Sequence, residues 1–256
     1  NFVESKWINI KTSFGKPSSK VCVGHLNEKQ IAFLPRHGLN HNIAPSNINY
    51  RANIESLKKI GVQNIISLSA VGSLREDYKP GDFVVVNQFI DQTYLRSKSF
   101  FDQDCVSHIP MSNPVCKNLN KICIESLKEV KLNFHNSGTY ICIEGPQFSS
   151  EAESNLFRSW GCDVIGMTNM PEAKLAKEAG ICYSAVSMVT DYDCWHPDHD
   201  SVTVDQILNT LNKNTKNAFS FIDSLSKIRK ITCDENTKTL SRNSIITNKK
   251  NVKNST

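Results

Sequence analysis

Apolar residues recur along this chain in two alternating rhythms. Short continuous runs, each bounded by glycine, proline or polar clusters, give strands at residues 30–34, 64–69, 83–86, 140–143, 163–167 and 181–189. Between them lie stretches with one apolar face at helical spacing. The spacing predicts a helix over 46–60, with Ser46 as N-cap, Tyr50, Ile54 and Leu57 on one face, and Gly61 as its stop. A second helix is expected over 114–130, with Pro114 in the favoured first position and Val115, Leu119, Ile122 and Leu127 apolar. Ser150 and Glu153 form a capping box for a third, which closes at Gly161. A fourth runs from Pro171 to Gly180, and Thr203 with Gln206 caps a last long one whose apolar positions include Val204, Ile207, Leu208 and Leu211. Strand and helix alternate, so the expected fold is α/β, a single domain with a central mixed or parallel β-sheet flanked by helices. That domain covers residues 1–233. Beyond it the apolar rhythm fades, and 234–256 are expected to form a loosely ordered polar tail.

Composition narrows the class. Of 256 residues, 39% are hydrophobic and 21% charged, enough for a packed core and against global disorder. The net charge of +5 owes part of its excess to a Lys- and Asn-rich stretch at 248–253. No basic face interleaved with aromatic platforms accompanies it, so a nucleic-acid partner is not expected. Nine cysteines are scattered singly with no C-x-x-C pair, which argues for free thiols in a reduced, cytoplasmic setting rather than a disulfide framework or zinc site. No apolar run reaches membrane-spanning length, so no membrane association is expected.

Three strands end in polar clusters, where open α/β sheets place their ligands. Arg36-His37-Gly38 offers a guanidinium fork suited to an oxyanion, or else a surface arginine beside a structural histidine. Ser69-Ala70-Val71-Gly72-Ser73 presents hydroxyls and backbone N–H groups, which fits either a phosphate cradle or a plain turn. Thr190-Asp191-Tyr192-Asp193 follows a buried-looking run. Continued strand geometry would point Asp191 and Asp193 to one side, and two close carboxylates raise one another's pKa. A helix cap, a solvated loop or a metal site with His196, Asp198, His199 and Asp200 are the other readings. The last spacing matches no standard ligand pattern, so no metal is assigned.

Nine motifs then occur in one order: Arg36-His37-Gly38, Asn49-Tyr50-Arg51-Ala52-Asn53, Ser73-Leu74-Arg75-Glu76, Pro80-Gly81-Asp82, Gln88-Phe89-Ile90-Asp91, His108-Ile109-Pro110-Met111, the run from Glu144 to Ser150, the run from Met167 to Glu172, and the run from Thr190 to Trp195. In this colinear set the chain resembles the methylthioadenosine phosphorylase branch of the trimeric purine-nucleoside phosphorylase family, from about Phe14 to at least Leu211. The resemblance implies phosphorolysis of S-methyl-5′-thioadenosine without a cofactor, inorganic phosphate being the co-substrate, in a homotrimer with sites near subunit boundaries. It places Arg36, His37, Ser69, Ala70 and Thr168 on phosphate-holding positions. Phe148, Ser149, Met167 and Thr190 fall on nucleoside-binding positions, with Met167 beneath the ribose. Asp191 and Asp193 fall on the carboxylates that read the adenine N7 and 6-amino edge, Val204 and Ile207 on the apolar wall around the 5′ substituent, and His108 on a residue reaching a neighbouring subunit's site.

Base preference is implied in the same way. Family members selecting 6-oxopurines carry Glu after the Gly-Pro-x-Phe motif and Asn at the position of Asp191, whereas Ser149 and Asp191 stand here, which favours adenine. One departure is that the family's first strand and glycine-rich phosphate turn have no counterpart in this sequence. For the chain as written the expectation is weakened phosphate affinity and a destabilised sheet edge. The competing readings are a phosphorylase for adenosine, 5′-deoxyadenosine or methylthioinosine, a hydrolytic nucleosidase, and a purine-binding protein without turnover.

Overall fold

The computed structural model describes residues 2–101, 104–197, 204–228, 231–233, 237–248 and 250. The chain opens with an antiparallel sheet of its own, β1 (Val3–Ile8), β2 (Val21–Leu26) and β3 (Lys29–Phe33). A 3-10 turn at Pro45–Asn47 leads into α1 (Tyr50–Lys59), β4 (Asn64–Ser73), β5 (Phe83–Val86) and β6 (Gln88–Gln92). Then come α2 (Lys117–Glu129), β7 (Phe134–His135), β8 (Thr139–Ile143) and α3 (Glu151–Ser159). The remainder is β9 (Val164–Gly166), α4 (Asn169–Glu178), β10 (Cys182–Tyr192), α5 (Val204–Ser226) and α6 (Thr237–Asn243).

Seven strands make the central sheet in the order β6-β8-β9-β4-β10-β5-β7. It is mixed: β4 and β10 run parallel at its centre, while β5 is antiparallel to β10 and β9 antiparallel to β4. Strand side chains alternate between faces, and β5 shows what that does here. Val84 and Val86 pack towards Ile54 of α1 and Leu175 of α4; Phe83 and Val85 pack towards Leu127 of α2 and Phe221 of α5. All four are fully buried, so the sheet is covered on both faces at β5, which reads as one continuous apolar run. The α/β layering is as expected.

Boundaries differ where local chemistry intervenes. Asn49, not Ser46, caps α1, accepting from the Ala52 N–H, because the 3-10 turn ends before the helix and frees Ser46 to donate to the Glu144 carbonyl at 3.0 Å. Helix α2 starts at Lys117 rather than Pro114: the Cys116 N–H donates to the Tyr183 carbonyl at 2.8 Å and stays extended. The capping box of Ser150 and Glu153 forms as expected. Thr203 lies outside the described residues. The segment expected to be a loose tail includes α6 and a bridge from Ile245 to Ser107.

The cysteines bring a correction. Cys182 and Cys233 form a disulfide across 51 positions of sequence, with Cα atoms 6.2 Å apart and the Cys116 sulfur within 4.8 Å of both. Tertiary folding assembles this pair, so spacing along the chain carries no trace of it. Among the described residues no helix is long and apolar enough to cross a membrane.

Candidate active site

Because β4 and β10 are parallel central neighbours, their carboxyl ends emerge side by side. The register runs evenly from Cys182 opposite Asn64 to Val189 opposite Val71, then shifts, so that Asp191 faces Gly72 and Tyr192 faces Ser73. A bulge of this kind re-aims the side chains beyond it. Asp191 and Asp193 consequently border the same glycine. A Cβ on Gly72 would lie 3.0 Å from Asp191 Oδ1 and 3.4 Å from Asp193 Cβ. The two carboxylates do converge, through a bulge and a strand end rather than through unbroken alternation.

Their environments differ. Burial pushes the Asp191 carboxyl up to about 6, the Asp193 charge pushes the same way, and the Thr190 hydroxyl 2.6 Å from Oδ2 opposes them. Asp193 is buried and accepts a hydrogen bond of 2.6 Å from the Ser149 hydroxyl. One carboxyl is therefore poised to carry a proton near neutrality beside a second that is held by hydrogen bonding.

Arg36 lines the same cavity as the two carboxylates and is held by its neighbours. Its Nη2 donates to Glu172 Oε1 at 3.0 Å and Ser67 Oγ at 2.6 Å, while Nη1 donates to Thr168 Oγ1 at 3.1 Å. The Tyr183 hydroxyl donates to the same Glu172 oxygen at 2.8 Å. Burial works most strongly against the Arg36 charge, but Glu172 beside it, together with Tyr183, Tyr50 and Tyr140 around it, more than offsets this and keeps the guanidinium charged. Ser69 borders the same space, and its buried hydroxyl has no hydrogen-bond partner among the described residues, an acceptor-seeking group where an oxyanion would fit. His37 Nδ1 lies 2.9 Å from the Ile43 carbonyl oxygen and its ring stacks on His41, with burial lowering its pKa.

One cavity of about 1290 Å³ joins these groups. Arg36, His37, Ser69, Ala70, Phe148, Ser149, Met167, Thr168, Thr190, Asp191 and Asp193 all line it. His108 does not; its N–H donates to the Ser244 carbonyl. The side chains of Val204 and Ile207 lie outside the described residues, as do Asp198, His199 and Asp200. The cavity also runs along β4. On the side away from β10, that strand pairs with β9 only at Gly72 and Ser73, so Ile65 to Leu68 border open space. Sequence reasoning missed Glu172, Ser67 and Tyr183, which anchor Arg36. Glu172 stood in a quoted motif, an acid in the first turn of a helix, but nothing local says that it faces an arginine 136 positions away.

The family model for the phosphorylase superfamily matches residues 1–227. The chain belongs to this superfamily. It is 52% identical over 221 residues to an S-methyl-5′-thioadenosine phosphorylase of Rhodospirillum rubrum, covering 86% of this chain and 75% of that protein. A crystal structure of methylthioadenosine phosphorylase from an antarctic soil metagenomic library superposes with a TM-score of 0.92 at 40% identity, covering 99% of this chain and 90% of the other. The methylthioadenosine phosphorylase of Schistosoma mansoni in complex with adenine gives a TM-score of 0.89 at 33% identity, over 95% and 92% of the two chains.

Proposed function

We propose that this superfamily member cleaves the N-glycosidic bond of S-methyl-5′-thioadenosine with inorganic phosphate, giving adenine and 5-methylthioribose 1-phosphate. The observation that carries the reading is a carboxyl raised to about 6 that lines the same cavity as a buried, charge-anchored guanidinium. The relatives named for this activity and the neighbour that binds adenine support the substrate.

The chemistry follows from charge. As the bond from C1′ to the purine N9 breaks, the sugar becomes cationic and the base anionic. Asp191 in its protonated form gives its proton to N7, so the base leaves neutral. Phosphate needs no base to activate it. Arg36, Thr168 and the unpartnered Ser69 hydroxyl hold one of its oxygens against C1′, and the new C–O bond completes the exchange. Asp193, steadied by Ser149, accepts from the 6-amino group, which favours adenine over 6-oxopurines. No resident cofactor takes part in this scheme.

The subunits assemble as a trimer, with His108 lent to a neighbouring site and Val204 and Ile207 forming the 5′ pocket. Tyr94 and Leu95 support a subunit boundary there: both are exposed, and their N–H groups donate to Glu144, close in sequence to Pro146, Phe148 and Ser149 of the cavity lining. The reaction serves purine and methionine salvage in the cytoplasm.

The test incubates the protein with methylthioadenosine, with and without phosphate, and separates the products. Adenine release is expected to need phosphate and to yield the sugar 1-phosphate. Equal release without phosphate would instead make the chain a hydrolase. Methylthioinosine is expected to be a poor substrate, and adenosine to fall behind methylthioadenosine by roughly a hundredfold at most, since apolar pockets reject an added hydroxyl only weakly.

A further inference from the structure

Arg96 belongs to none of the groups that line the cavity, yet its side chain is only 1% exposed. A charged side chain survives at that depth only when its donors are matched. Here all five N–H groups find acceptors. On one side these are the Tyr50 hydroxyl at 3.1 Å and the Ser46 hydroxyl at 3.4 Å. On the other they belong to two segments, the end of β8 with the loop after it and the loop after β9 with the first turn of α4. Nε donates to Glu144 Oε1 at 3.1 Å, and Nη2 to the carbonyls of Glu144 at 2.8 Å and Ile143 at 3.3 Å. Nη1 donates to the carbonyls of Met167 and Met170, both at 2.6 Å.

The first loop leaves β8 and carries Phe148 and Ser149, the second of which holds Asp193. The second loop leaves β9 and carries Met167 and Thr168, the latter meeting Arg36. These loops touch: a Cβ on Gly145 would come within 2.5 Å of Met167 Sδ, so only glycine allows the approach, at a φ of +66°. The flat guanidinium is the part that spans them. A lysine, with three donors from a single point, reaches one loop or the other. Glu144 completes the joint. Burial would raise its pKa, but Ser46, the Tyr94 and Leu95 N–H groups and Arg96 bring it down to about 2.

We propose that Arg96 is a positioning residue for catalysis, a staple that sets the spacing between the purine-facing loop at 145–149 and the ribose- and phosphate-facing loop at 167–170. This rests on the reading that those loops hold the nucleoside. Loss of the staple separates Phe148 and Met167 and misplaces the sugar between proton donor and phosphate. Arg36 keeps its own anchors in Glu172 and Ser67, so the phosphate side suffers less.

The experiment measures Arg96→Ala, Arg96→Lys and Glu144→Gln with methylthioadenosine and phosphate varied separately, adding guanidinium or methylammonium chloride at equal low concentration. Arg96→Ala is expected to lose roughly a hundredfold in kcat/KM for the nucleoside, the scale of a misplacement near 1 Å, with the nucleoside KM raised more than the phosphate KM. Guanidinium is expected to restore about tenfold and methylammonium nothing, because only the first offers a planar donor fork. Arg96→Lys should remain close to Arg96→Ala. A loss under about threefold, equal restoration by both cations, or parallel rises in the two KM values would overturn the proposal. If Arg96→Ala cannot be isolated folded, Glu144→Gln decides: about a tenfold loss towards the nucleoside supports the staple, and unchanged kinetics refute it. Asp191→Asn in the same series tests the site reading on its own. Full activity there removes the reading of the loops whatever Arg96 does.

Discussion

Asp191→Asn is expected to lower kcat for methylthioadenosine about 10³-fold while leaving KM within a few-fold, the signature of a lost proton donor. Asparagine keeps the shape and a hydrogen bond but carries no transferable proton. The same substitution changes how stability depends on pH. Burial raises the Asp191 pKa from its ordinary 3.8 to about 6, so the protonated carboxyl suits the folded chain and the ionised one does not. Stability from this group is full below about pH 4, falls as pH rises through about 6, and is flat beyond. Chemical denaturation across that range should therefore show Asp191→Asn gaining about 3 kcal/mol on the wild type between pH 4 and 6. A constant difference at all pH values would mean that Asp191 titrates as an ordinary surface acid. The wild-type rate should fall on the same alkaline limb, and that limb should vanish in the variant.

Arg36→Ala is the second large effect, and it has two separable parts. Removing the guanidinium takes away the main cationic group facing the oxyanion, and the phosphate KM is expected to rise at least about a hundredfold. It also strands Glu172, which is buried and whose other side-chain partner among the described residues is Tyr183. An uncompensated buried carboxylate of this kind costs about 3–5 kcal/mol of folding stability. Arg36→Met combined with Glu172→Gln removes both charges together. The double variant should regain most of the lost stability by thermal unfolding while phosphate binding stays weak. If phosphate binding returned along with stability, Arg36 would be a structural ion pair and not an anion site.

The fold was legible in its centre and illegible at its margins, for a physical reason in each case. A strand covered by helices on both faces must be apolar throughout, and β5, with four fully buried residues, advertises itself. β1 carries no such mark: five of its six residues are exposed, so neither alternation nor a continuous run appears in its sequence. β6 carries glutamine at both ends and an aspartate near its middle, and its pairing with β8 is set by tertiary neighbours. Helix starts moved because Cys116 and Ser46 found partners far away in sequence, which outbid local propensity.

The site divides the same way. Residues that interrupt or end an apolar run were visible, as Arg36, Ser69, Asp191 and Asp193 do. Their supports were not. Glu172 behind Arg36, and Arg96 between two loops, act only through contacts made by the finished fold. The bulge after Val189 is a further case, for pairing with β4 decides it and residue type does not.

In this mechanism the acid and the anion site address opposite sides of one sugar–purine bond. A crystal structure of the protein with adenine and phosphate bound together tests it most directly. The purine N7 is expected within hydrogen-bond distance of Asp191, and the phosphate enclosed by Arg36, Ser69 and Thr168. Adenine bound away from Asp191, or phosphate bound away from Arg36, would contradict it.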